Sequence, residues 1–437
     1  MKKILLAICL PVCISAAAQE HTGPWSLQDC ISYALEHNIS VKQQGLAAEQ
    51  AAIELETAKW DRAPGLSGNA SQNFSFGRGL AADNTYVNKN TASTGFSLGT
   101  SVNLFSGFRA SETIRLRNLD LQSANAELLR AKNDISMNVA QAYMQILYNI
   151  EILGVAERQI AIDSLQLERL RHLLSNGKAS EVEILQQKAS MEQDRFTLVQ
   201  AQNNLSLAIL TLTQLLELPS PDGFTVIPPS MQIETGLLEN PDSIFVHAAA
   251  TRPEILSEQI KLEGFDAQVK IAKSALYPSL SLSAGLGSNY YKTDGYDMGT
   301  FGDQIKNNFS QYVGLSLNIP IFDKLATRNS IRSSRLAQNS QALKLQYAKN
   351  SLYKEIQQAY HNAVAARSRY YSSKQAAKAA EESFTLVQAK YESGKASITE
   401  FNESKNASLK SESDLAQARY EWMYQAKLLD FYKGIEF

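Results

Sequence analysis

Two textures of hydrophobic and polar residues alternate along this chain, and each appears twice. In the first, apolar residues recur at intervals of three and four, as in Ile135, Val139, Ala142, Ile146, Ile150 and Leu153, within a stretch, 109–174, whose only glycine is Gly154. That period marks a helix that buries one face along its whole length. Proline is absent over 65–218 and from 321 onward, so nothing in the side-chain chemistry stops such helices from running very long. They are predicted over 109–174 and 180–218, and again over 327–391 and 397–433. At about 1.5 Å per residue the longest make rods of roughly 100 Å, which need equally long partners.

The second texture has a period of two. Leu66, Gly68, Ala70, Gln72, Phe74 and Phe76 alternate with Ser and Asn, and Thr94, Phe96, Leu98, Thr100, Val102 and Leu104 alternate with Ser, Gly and Asn. The pattern returns at Leu280, Leu282, Ala284 and Leu286, and at Val313, Leu315, Leu317 and Ile319. Four strands are predicted, over 66–76, 93–105, 279–290 and 310–322, each long enough to cross a bilayer when tilted. Their polar faces hold Ser, Asn and Gly without Lys or Glu, which suits a watery lumen better than an open solvent surface. Long polar loops, 77–92 and 289–309, join the strands in pairs. A spanning barrel needs at least about eight strands, so several chains must contribute, and spacing alone leaves dimer, trimer and tetramer open.

The two textures repeat because the chain is duplicated. Residues 44–66 realign on 258–280 at an offset of 214, placing Ala58-Lys59 on Ala272-Lys273 and Pro64 on Pro278. Farther on the offset is 217, and Phe105 meets Phe322, Gln141-Ala142-Tyr143 meets Gln358-Ala359-Tyr360, and Gly177-Lys178-Ala179-Ser180 meets Gly394-Lys395-Ala396-Ser397. The organisation is therefore a first repeat over 19–220, a Pro-rich polar linker over 219–242 and a second repeat over 243–437.

Composition excludes more than it identifies. Met1-Lys2-Lys3, an apolar run from Ile4 to Ile14 and Ala16-Ala17-Ala18 read as a signal peptide over 1–18, so export is expected. A lipoprotein cut before Cys13 would follow the bulky Val12, which disfavours it. The formal charge of −2 and the lack of a basic patch argue against nucleic acid. Cys30 is the one cysteine beyond the signal region, and the five histidines are scattered, so neither disulfide, zinc site nor Cys/His nucleophile is expected. Gly285-Leu286-Gly287 runs on into Asn289 and Tyr290, a strand rather than a phosphate loop. No enzyme constellation and no cofactor emerge.

Ser26-Leu27 through Ala34 to Asn38, its counterpart Ala250-Thr251-Arg252-Pro253-Glu254, Asn103-Leu104-Phe105, Ile319-Pro320-Ile321-Phe322 and the two glycine turns follow in a duplicated order. In these features nearly the whole chain resembles the outer membrane efflux protein (TolC-like outer membrane factor) family. The resemblance implies a mainly α fold with a β-barrel part: a homotrimer whose shared barrel takes four strands from each chain, twelve in all, above a long periplasmic tunnel of helices. The linker and the residues after Lys433 would lie in a belt around the tunnel. The implied partners are outer-membrane lipid, a periplasmic adaptor (membrane fusion) protein and an inner-membrane pump of RND, ABC or MFS type. The implied function is that of an exit duct for efflux or type I secretion. A periplasmic coiled-coil scaffold with a soluble sheet is the rival reading.

The glycine turns would reverse the chain at the end farthest from the membrane. Gly177 and Gly394 suit a left-handed helix end, while Ser180 with Glu183 and Ser397 with Glu400 fit capping boxes. The resemblance adds roles. Acidic residues six and nine places after the second glycine, Glu400 and Glu403, would ring the periplasmic aperture, and Tyr391 would link helices near Glu183. Gly177, Lys178, Ala179, Ser180, Gly394, Lys395, Ala396 and Ser397 would form the adaptor-docking tips. Ala396 departs from the family, which has a basic residue there.

Overall fold

The computed structural model describes residues 23–80, 84–88, 90–228, 238–294 and 297–435. The predicted signal peptide and linker residues 229–237 lie outside the described residues. A first helical arm, α1 (Leu27–His37) and α2 (Ile39–Trp60), leads into β1 (Gly65–Ser75). The loop after it contains a small hairpin, β2 (Arg78–Leu80) and β3 (Tyr86–Asn88), before β4 (Thr91–Ser106). Two long helices follow, α3 (Arg109–Ser175) and α4 (Glu181–Leu215). The second repeat retraces this path through α5 (Pro241–Thr251), α6 (Pro253–Ser274), β5 (Ser279–Thr293), a short α7 (Phe301–Asn307), β6 (Ser310–Asn318), α8 (Ala326–Glu392) and α9 (Ile398–Tyr432).

The repeats share two irregularities. The helical arm breaks at Asn38 in one copy and at Arg252 in the other, both with extended backbone. Arg252 precedes Pro253, and a residue before proline is pushed out of the helical region. Its guanidinium stacks over Phe431 at 4.1 Å and Tyr432 at 4.8 Å, pinning the end of α9 to this break. Each 67-residue helix, α3 and α8, is entered through two successive left-handed residues, Gly107-Phe108 and Lys324-Leu325. Only Gly107 adopts that conformation without a Cβ penalty.

The sheet runs β1-β4-β5-β6, antiparallel throughout, and the β4–β5 pairing fuses the two repeats. Leu98 pairs with Leu286 on one face, and Ala284 pairs with Val313 on that same face. Gly285 opposes Tyr312 on the other face, where the Tyr312 ring covers the glycine. The helices α2, α3, α6 and α8 adjoin these strands in the same order and pack side by side as α2–α3–α6–α8. Below them, separate apolar cores gather around Tyr143 and Ile146 in the first repeat and Ile255 and Ile356 in the second. None of the described helices is long and apolar enough to cross a membrane.

Three sequence expectations need correction. The last strand ends at Asn318 rather than 322, because Pro320 has no N–H to continue a ladder. The loop at 77–92 is partly a hairpin, and the one at 289–309 carries α7, whose Gln304 side chain bonds both Tyr291 N and Tyr291 O. The third concerns the cap at Ser397.

Candidate functional site

Both long hairpins reverse in the same way. Gly177 has φ 68° and Gly394 has φ 73°. Lys178 N donates to the Leu173 carbonyl at 2.8 Å, and Lys395 N donates to the Lys390 carbonyl at 2.8 Å. Such bonds, reaching back five residues, end a helix whose next residue is left-handed.

The next helices begin differently. Ser180 Oγ accepts from Glu183 N at 3.3 Å, and Glu183 Oε2 accepts from Ser180 N at 2.7 Å, a complete capping box. Ser397 Oγ accepts from Glu400 N at 3.1 Å, but the Glu400 carboxylate does not return to the cap. The box expected there is only half formed. Glu183 is thus committed to its helix start, whereas the exposed Glu400 carboxylate stays in solvent with the exposed Glu403 one turn along the same face. Carboxylates in the first turn also answer the helix dipole.

Beneath the turns one apolar cluster joins both hairpins: Leu167, Leu170, Ile184, Met191, Ile398 and Phe401, with Ala179, Phe384 and Tyr391 against it. The Tyr391 ring lies 5.0 Å from Phe401 and 5.4 Å from the Arg169 guanidinium. Burial raises the Tyr391 hydroxyl pKa, the Gln166 side chain opposes that, and the Glu183 charge adds to it. Gly177, Lys178, Ser180, Gly394, Lys395 and Ser397 face solvent, while Ala179 and Ala396 are half-buried under the turns.

The sequence reading missed two features. Arg169 donates to the Glu392 carbonyl at 2.9 Å, so a cation reaches the second tip from the first hairpin although Ala396 supplies none. Farther along, Asp163, Gln187, Asp194 and Lys405 form a buried polar group between α3, α4 and α9. Their signal was present: Ile184, Gln187, Met191 and Asp194, like Ile398, Phe401 and Lys405, keep the three-four spacing of a buried seam.

Residues 30–217 and 245–434 match the family described as "Outer membrane efflux protein". The chain is 22% identical over 360 residues to "Outer membrane protein TolC" of Escherichia coli (strain K12), covering 79% of this chain and 71% of that protein. "Cation efflux system protein CusC" of the same strain is 22% identical over 366 residues, 79% of this chain and 74% of CusC. The crystal structure of the outer membrane protein VceC from Vibrio cholerae superposes with a TM-score of 0.77 at 18% identity, over 93% of this chain and 96% of VceC. This chain belongs to the outer membrane efflux protein family, whose place is the Gram-negative outer membrane with an extension into the periplasm.

Proposed function

We propose that the protein is a passive exit duct. Three copies place their four-stranded sheets edge to edge in one twelve-stranded outer-membrane barrel, and their helices continue it as a tunnel toward the inner membrane. An adaptor docks on the Gly177–Ser180 and Gly394–Ser397 turns and delivers substrates from an RND, ABC or MFS-type pump, for efflux or type I secretion. The duct itself performs no chemistry, and the pump supplies the energy.

The observation that carries this reading is the sheet. Both outer strands, β1 and β6, are exposed, and one face presents Leu66, Val313, Leu315 and Leu317 to the surroundings at 73%, 78%, 65% and 60% exposure. A soluble scaffold has no use for such a face, and a single open sheet in lipid leaves its edge N–H and C=O groups unpaired. Pairing with further copies removes the edges, and lipid covers the apolar face. At the far end, three copies of the Glu400–Glu403 face around an axis concentrate negative potential at the mouth and attract cations.

Deleting the gene in its host, with redundant channels also removed, tests the transport role. Raised susceptibility to toxic compounds or loss of a secreted product is expected. Unchanged susceptibility and secretion contradict it.

A further inference from the structure

The contact between α9 and the first hairpin includes a largely buried charged group. Lys405 on α9 and Asp163 on α3 have no exposed side-chain surface, and the Asp194 side chain on α4 is 12% exposed. Lys405 Nζ lies 2.5 Å from Asp163 Oδ1 and 3.1 Å from Asp194 Oδ2. Gln187 Nε2, also on α4, donates to Asp163 Oδ1 at 3.0 Å. Two carboxylates thus share one ammonium. Asp163 Oδ2 and Gln187 Oε1 are buried without a hydrogen-bond partner. A stranded carboxylate oxygen beside a second carboxylate is one proton short of satisfaction.

We propose that Lys405, Asp163 and Asp194 form a proton-binding clasp that holds α9 against the first hairpin and so positions the Glu400–Glu403 face at the tunnel mouth. Its functional consequence rests on the duct reading above. With a proton on Asp163, the new O–H donates toward Asp194, Lys405 donates to both residues, and the group is neutral. Without it, two buried anions face one cation, and the unbalanced charge favours separation or entry of water. The groups facing this centre are Asp163 from α3, Asp194 and Gln187 from α4, and Lys405 from α9. Burial first, then the adjacent Asp194 carboxylate, push the Asp163 carboxyl up to about 6 against the pull of Lys405. The clasp therefore tightens in mild acid. Buried polar residues on a helix seam can also serve only to fix register, but that role does not depend on pH.

The test uses the full-length protein purified in detergent. Hydrogen exchange over 398–410, corrected for intrinsic rates, is compared at pH 5.5 and pH 8, and single-channel conductance is recorded alongside. Wild type is expected to exchange several-fold more slowly at pH 5.5. Asp163→Asn, whose amide supplies a permanent hydrogen, should be equally protected at both values. Lys405→Met removes the ammonium at similar side-chain length and leaves both carboxylates without a cation, and should exchange about tenfold faster and conduct more. Lys405→Arg should restore the pH dependence. Wild-type protection that ignores pH, or unchanged protection in Lys405→Met, overturns the clasp. Altered exchange with unaltered conductance overturns its role at the mouth. A wild type that never conducts overturns the duct reading and leaves the clasp to be judged on exchange.

Discussion

Arg169 holds the carbonyl of Glu392, 223 residues away, with a 2.9 Å hydrogen bond from Nη2. The same guanidinium lies over the Tyr391 ring, so the end of α8 is fastened to α3 by two interactions from one side chain. Arg169→Ala should cost roughly 1–2 kcal/mol of local stability. The effect is expected as faster hydrogen exchange over 388–395. Arg169→Lys should recover only part, because an ammonium cannot make the planar stack.

Gly107 allows α3 to start where it does. It has φ 62°, and an added Cβ would collide with the Ser274 carbonyl oxygen and sit 2.9 Å from Tyr277 Cβ. Gly107→Ala should therefore destabilise the fold by about 3 kcal/mol or more, read from the denaturation midpoint in detergent. Gly99, which has nothing within 4 Å of its would-be Cβ, is the control, and Gly99→Ala should change little.

Cys30 is fully buried in the first-repeat core, and burial followed by the Asp29 charge pushes its thiol up to about 12. Thiolate is the reactive form, so a thiol reagent at pH 8 should leave the native protein unlabelled and react fully after denaturation. Rapid native labelling would contradict the packing around α1.

Asp163 gives a pH dependence of the opposite sign to an ordinary salt-bridged aspartate. Its folded pKa, about 6, exceeds the usual 3.8, so the folded state binds the proton more tightly. Its contribution is most favourable below about pH 4 and declines as pH rises through about 6. Relative to Asp163→Asn, wild type should lose melting temperature across that window and then level off.

The long helices, the four main strands and the two tips were legible because each rests on a local rule. Gly177 and Gly394 are needed for left-handed turns, and Ser-plus-Glu spacing announces a helix start. Alternation marked the strands, although Pro320 shortened β6 and a polar loop concealed the short α7. The links between hairpins were not legible. Asp163 and Lys405 are far apart in sequence, and a charged residue on a helix normally reads as solvated. Only their seam positions betray burial. The difference between Glu183 and Glu400 was hidden for another reason: Ser-x-x-Glu permits a reciprocal cap without requiring it.

The shared barrel and its acidic mouth are tested together on the mature protein extracted from outer membranes in detergent, by mass analysis of the oligomer and planar-bilayer conductance. A trimer with cation-preferring conductance is expected, with loss of that preference in Glu400→Ala with Glu403→Ala. A soluble monomer without conductance would contradict it.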